Sequence, residues 1–115
     1  MSLTRILALA LFAGSTIAGD VTLTLTLFYG EGCTGSSTIE VIDYALGSGQ
    51  TVLQLDYTFQ SAQYSGGTYP DDVYGCQYGY SCYDNEDSWI APVIGDCSQV
   101  TSSDVNLDKL LIVSN

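Results

Sequence analysis

Histidine is absent from the 115 residues, and Lys and Arg together number two, Arg5 and Lys109. Without histidine no Ser-His-Asp or Cys-His nucleophile pair can form, and the single lysine beside the last predicted strand offers no Ser-Lys arrangement. The scarcity of basic groups excludes nucleic-acid binding, which depends on Lys and Arg displacing phosphate counterions. It disfavours an anionic membrane surface for the same reason. No run is apolar for the ~20 residues that a helix needs to cross a bilayer, so no membrane span is expected. Asn-x-Ser/Thr acceptors and dibasic pairs are missing too, so neither N-glycosylation nor cutting at basic pairs is expected.

The longest apolar stretch, Ile6–Ala13, follows Arg5 and leads through small residues to Thr16-Ile17-Ala18. A positive start, a short apolar core and small residues before a cleavage point form the layout of a secretory signal peptide over residues 1–18. The expected mature protein is then a secreted, extracellular single domain, residues 19–115, taken as a monomer. It keeps one cation, Lys109, against thirteen acids. Such a charge favours solubility and admits basic partners.

Cys33, Cys76, Cys82 and Cys97 all lie in the mature part. On an oxidising route four cysteines read as two disulfides. A zinc site is disfavoured because there is no C-x2-C pair and no histidine. Of the three pairings, Cys33–Cys76 with Cys82–Cys97 is favoured here, since joining Cys76 to Cys82 would close a very short loop.

Helical periodicity is scarce, whereas period-2 alternation is common. "VTLTLTLFY" (21–29) sets Val21, Leu23, Leu25 and Leu27 against Thr22, Thr24 and Thr26, a strand with one buried face. "STIEVIDY" (37–44) predicts a second strand, with Ile39 and Val41 inward and Glu40 outward. Further strands are expected at 51–57, 59–65, 77–84, 89–94 and 109–114, with Pro92 at an edge or bulge. Short strands separated by turn signals predict an all-β sandwich or barrel. The loop "GGTYPDD" (66–72) divides it into two similar halves. The expected core is Leu23, Leu25, Leu27, Ile39, Val41, Leu53, Leu55, Val93, Leu111 and Val113.

The stretch "FYGEGCTG" carries Phe28, six residues, then Gly35, and the tail "GDCSQVTSSDVNLDKLLIV" ends in a final strand. In these features the chain resembles the βγ-crystallin superfamily, and small secreted fungal proteins and killer-toxin-like proteins of that form. The resemblance implies a β-sandwich of two Greek keys, about 20–66 and about 73–115. The second half departs from it, with Trp89 where the pattern has glycine. A different two-sheet sandwich of the kind found in other small secreted effectors stays open. The resemblance also implies calcium, held by an (Asn/Asp)-(Asn/Asp)-x-x-(Ser/Thr)-Ser stretch. "DYTFQS" (56–61) keeps only Asp56 and Ser61, and "NLDKLL" (106–111) only Asn106. Calcium takes six to eight oxygens, so binding at Asp56, Ser61 and Asn106 would be weak, and no cofactor is expected.

"YGCQYGYSCYDNEDSW" (74–89) gathers tyrosines, two cysteines and acids. Strand parity puts Tyr74 and Tyr83, with Tyr69 from the loop before, beside Asp84, Glu86 and Asp87 on an exposed face. Tyrosine is a rigid amphipathic contact residue enriched at interfaces, and it also simply favours strands. The pairs Asp71-Asp72 and Glu86-Asp87 could serve glycoside hydrolysis, but adjacent acids in turns are normally solvated. The expectation is a non-enzymatic, effector- or toxin-like protein that binds an extracellular protein or cell-surface component of another organism. The alternative is a calcium-binding or wall and matrix module of the producer.

Overall fold

The computed structural model describes residues 20–77, 79, 82, 88–99 and 106–115. The expected signal peptide lies outside the described residues. Among the described residues eight strands follow one another: β1 Asp20–Phe28, β2 Ser37–Ala45, β3 Gly49–Phe59, β4 Ser61–Gly67, β5 Asp72–Gln77, β6 Ser88–Trp89, β7 Cys97–Gln99 and β8 Leu107–Ser114. They form two four-stranded sheets, ordered β2-β1-β4-β7 and β3-β8-β5-β6, and every pairing is antiparallel. The all-β expectation is borne out. Each half of the chain keeps three strands in one sheet and lends its third strand, β3 or β7, to the other. Backbone hydrogen bonds therefore tie the halves together.

The central strand β1 follows its sequence alternation. Leu23, Leu25 and Leu27 have essentially no exposure, while the threonines between them face outward. Ile42, Tyr44, Ala62 and Tyr64 complete the first sheet's inner face, and Leu55, Phe59, Val73, Ile90, Leu107, Leu110 and Ile112 meet them. Burying a Leu or Phe side chain stabilises by roughly 1.5–3 kcal/mol, so this one cluster dominates the packing. A second cluster of Cys76, Cys82 and Leu111, with Val52, Tyr74 and Val113 against it, sits on the second sheet's outer face.

Several sequence expectations are corrected. In β2 the inward set is reversed: Leu25 pairs with Glu40 and Thr26 with Ile39. Directly opposed residues share a face, so Glu40 turns inward beside Leu25 while Ile39 stands 63% exposed. Both parities of this strand carry apolar residues, and the observed one buries Ile42 and Tyr44 together. Val93 is exposed in a turn closed by Asp96 N–H donating to the Val93 carbonyl (3.1 Å), so 89–94 is not a strand beyond Trp89. Leu111 is fully buried, as expected, but in the second cluster on the outer face, where Val113 is only partly buried against it. The expected strand 77–84 is not found at its described positions beyond Gln77: β5 spans Asp72–Gln77, and Gly79 and Cys82 are not in a strand; residues 78, 80, 81 and 83–87 lie outside the described residues. The short strand β7 was not expected.

Two disulfides form, as expected, but their pairing is Cys33–Cys97 and Cys76–Cys82. Cys33 sits in the loop after β1 that folds back toward β7, bringing its Cα within 5.9 Å of that of Cys97. The short Cys76–Cys82 ring is feasible because Gly79 adopts φ +85°, a left-handed conformation that glycine accepts without strain.

Gly67 and Gly66 give a paired test of this packing. Gly67 has φ +77°, and a Cβ there would lie 2.2 Å from the Thr22 carbonyl oxygen, whereas a Cβ on Gly66 would meet nothing within 4 Å. Gly67→Ala is expected to cost about 3 kcal/mol through strain and clash. Gly66→Ala should stay within about 0.5 kcal/mol. Urea unfolding of the two variants checks this, and equal costs would remove the close approach of β4 to β1.

Candidate functional site

The second sheet's outer face is organised by register. Val52 pairs with Leu111, Leu111 with Tyr74 and Tyr74 with Trp89, so one cross-strand row runs Val52–Leu111–Tyr74–Trp89. The next row holds Gln50, Val113 and Asp72. Leu111 and Cys76 have no exposure, and Tyr74 is half-buried against them. Trp89, at the end of the row on edge strand β6, is 47% exposed. Its indole Nε1–H donates to Asp72 Oδ1 at 3.1 Å. An indole held by a carboxylate, at the end of a row in which Tyr74 packs on the Cys76, Cys82 and Leu111 cluster, is the described part of the site.

The structure brings together only some of the residues expected from sequence. Tyr74 lies on this face, but as part of the packed row rather than as a projecting ring. Tyr69 is elsewhere. Its ring stands edge-on to Tyr64, with centroids 5.2 Å apart at 65°, and its hydroxyl donates to the Ile90 carbonyl. Burial, aided by the charge of Asp72, pushes its phenol up to about 12. Tyr83, Asp84, Glu86 and Asp87 lie outside the described residues. Trp89 was not singled out as a contact residue from sequence. The available signal was that it is the chain's sole tryptophan and directly follows "DNEDS".

Two of the three residues expected to hold calcium have other partners. Ser61 is 1% exposed; its Oγ accepts from Cys33 N–H (2.7 Å) and donates to the Gly30 carbonyl (2.6 Å). Those two bonds pin the 29–36 loop, which is also closed by Tyr29 N–H to Ser36 and Gly30 N–H to Thr34. Asn106 Oδ1 accepts from Gln60 Nε2 at 3.0 Å, and Asp56 is exposed on β3. Among the described residues no group of three or more acids or cysteines could hold a metal ion.

Several other carboxylates are engaged in the fold. Asp71 Oδ2 accepts from Asn115 N–H (2.6 Å), and Asp43 Oδ1 from the Thr22 hydroxyl (2.9 Å). Glu40, buried between the sheets, accepts from the Tyr57 hydroxyl at 2.6 Å. Burial first, then that bond and the charge of Glu40, raise the Tyr57 phenol well above its ordinary range. Lys109 pairs with Asp108 at 2.9 Å. The carboxylate pair Asp71-Asp72 is thus divided between two structural contacts; Glu86-Asp87 lies outside the described residues. Comparison with family models, with curated proteins and with solved structures finds no match for this chain.

The buried phenols predict an alkaline limit to stability. An unfolded tyrosine ionises near pH ~10, whereas folded Tyr69 holds its proton to about 12. A pKa raised in the fold contributes stability that is complete below the unfolded value and is lost as pH rises through the folded one. The melting temperature should therefore hold to about pH 10 and fall toward about pH 12, less steeply in Tyr69→Phe. A Tyr69→Phe profile with an unchanged slope would place that hydroxyl in water.

Proposed function

We propose that this protein is secreted and non-enzymatic, and acts by binding a protein or surface of another organism, in the manner of an effector or toxin. The observation that carries the reading is the outer face of the second sheet. There an exposed indole, held by a carboxylate, ends a cross-strand row whose inner members pack on a disulfide-linked cluster, in a chain whose net charge is −11. The described ionisable side chains near it make contacts within the fold, which favours recognition over chemistry. Two disulfides in so small a domain are consistent with an extracellular setting, and the signal-like residues 1–18 agree with it.

The βγ-crystallin likeness belongs to the same proposal. The exchange of β3 and β7 between the sheets supports a pair of interlocked Greek keys, about 20–66 and about 73–115. So does the folded loop after β1, where Phe28 and Gly35 bracket the turn that Ser61 holds. The engaged hydroxyl of Ser61 and the separate surroundings of Asp56 and Asn106 weigh against the calcium reading.

The test is depletion of the oxidised protein from solution by foreign and by the producer's own cell walls, at physiological salt, before and after protease treatment of the walls. Saturable capture by foreign walls that protease abolishes is the expected result. Capture that survives protease, or that occurs mainly on the producer's walls, would replace this reading with a polysaccharide-binding matrix module.

A further inference from the structure

We propose that Trp89 and Asp72 together form the docking point for a cationic side chain, best an arginine, on a basic partner polypeptide. The inference rests on the binding reading above and names the partner's chemistry at that same face.

Three observations support it. First, the indole is oriented before any partner arrives. Its Nε1–H is committed to Asp72 Oδ1 at 3.1 Å, while 47% of the side chain is open to solvent. Fixing an aromatic in advance removes part of the ordering cost of association, which is why rigid tryptophans so often anchor interfaces. Its neighbour in the row is fixed as well: Tyr74 pairs with Trp89 and packs on the cluster of Leu111, Cys76 and Cys82.

Second, the charge beside the ring selects the ligand. A cation placed over an indole face is attracted by the ring quadrupole, and here the carboxylate of Asp72 adds to that field. Asp71 is the adjacent residue in the chain. Lys109, the sole cation among the described residues, is paired with Asp108 at 2.9 Å and donates to the Gln77 carbonyl at 3.4 Å, so it does not neutralise Asp72. A guanidinium suits the site better than an ammonium, because its plane stacks on an aromatic face while its fork meets a carboxylate.

Third, the whole molecule carries the same preference. A net charge of −11 steers basic partners inward and repels acidic ones. A neutral sugar could also stack on an exposed indole, but it would gain nothing from that charge.

Because Trp89 is the chain's sole tryptophan, its emission reports the site directly. The experiment titrates oxidised protein with an oligoarginine peptide at physiological salt, following tryptophan fluorescence and, in parallel, anisotropy of the labelled peptide. Saturable binding with a change in Trp89 emission is expected, tighter than for oligolysine of equal length. Asp72→Asn should weaken it by about tenfold, and Trp89→Ala by at least as much. Glu31→Gln removes the same single charge from an exposed residue on the loop of the other sheet, and should leave the affinity unchanged. Trp89→Phe, with a weaker quadrupole, should fall between wild type and Trp89→Ala, and serves if the alanine variant does not fold by circular dichroism.

Equal weakening by Asp72→Asn and Glu31→Gln would mean general attraction to an acidic protein and overturn the proposal. So would unchanged binding in the Trp89 variants, or an emission response to a neutral glucan or chitin oligomer in place of the peptide. If oligoarginine fails while protease-sensitive capture by foreign walls persists, the cation site falls and the binding reading stands. If both fail, both fall.

Discussion

The alternation in β1 governs the rest of the first sheet. Its three inward leucines and three outward threonines fix which face of that sheet is core. β1 pairs with β2 on one side and β4 on the other, so its parity is imposed on both neighbours. A strand whose face is so strongly marked cannot slip by one residue without exposing every leucine. β2 has no such mark, because apolar residues occupy both of its parities. It therefore takes the parity that β1 dictates, even though Glu40 is thereby buried. That burial is made tolerable by the Tyr57 hydroxyl at 2.6 Å from its carboxylate, in keeping with the rule that buried charges are hydrogen-bonded. A buried acid between the sheets is thus a consequence of the leucine stripe.

The same logic separates what the sequence reveals from what it conceals. Periodicity alone identified the all-β class, the strands of the first half and the leucines at the centre of the core. It failed where the informative quantity was a partner rather than a pattern. Ile39 and Glu40 exchanged faces because of pairing across a sheet. Leu111 and Val113 are apolar and regularly spaced, but the face they line is the outer one, closed by a disulfide. Val93 is as hydrophobic as a core residue, yet it stands in a tight turn. The site was partly legible: "YGCQYGYSCYDNEDSW" does contribute Tyr74, both cysteines and Trp89 to one face. Asp72, which holds the indole, could not be linked to Trp89 from sequence, since 17 positions separate them and only the β5–β6 pairing brings them together.

Ser61 shows a related limit. A serine at the start of a strand has no distinctive sequence signal, yet it satisfies a backbone N–H and a carbonyl of the folded loop at once. Leaving two such groups without partners in a part-buried setting would cost about 1–3 kcal/mol each. The hydroxyl therefore positions Cys33 for its bond to Cys97, and chemistry that might have served a metal is used to place a disulfide.

The two disulfides then do different things, and their sequence separations say which. Closing a loop restricts the unfolded chain more when the loop is long. Separations of 64 and 6 correspond to about 4 and about 2 kcal/mol in the chain-entropy account. The Cys33–Cys97 bridge ties the β1–β2 loop to the strand lent by the second half, so it stabilises the molecule as a whole. The Cys76–Cys82 bridge adds less to global stability. It lies buried beside Leu111 and Tyr74, and its effect is local: it closes covalently the cluster on which Tyr74, the neighbour of Trp89, packs. An indole on an edge strand of two residues has little secondary structure to hold it. Its orientation is set by the Asp72 carboxylate and by its pairing with Tyr74, which packs on that cluster. The weaker of the two staples is therefore the one that closes the apolar cluster on the outer face, next to the strand that carries Trp89.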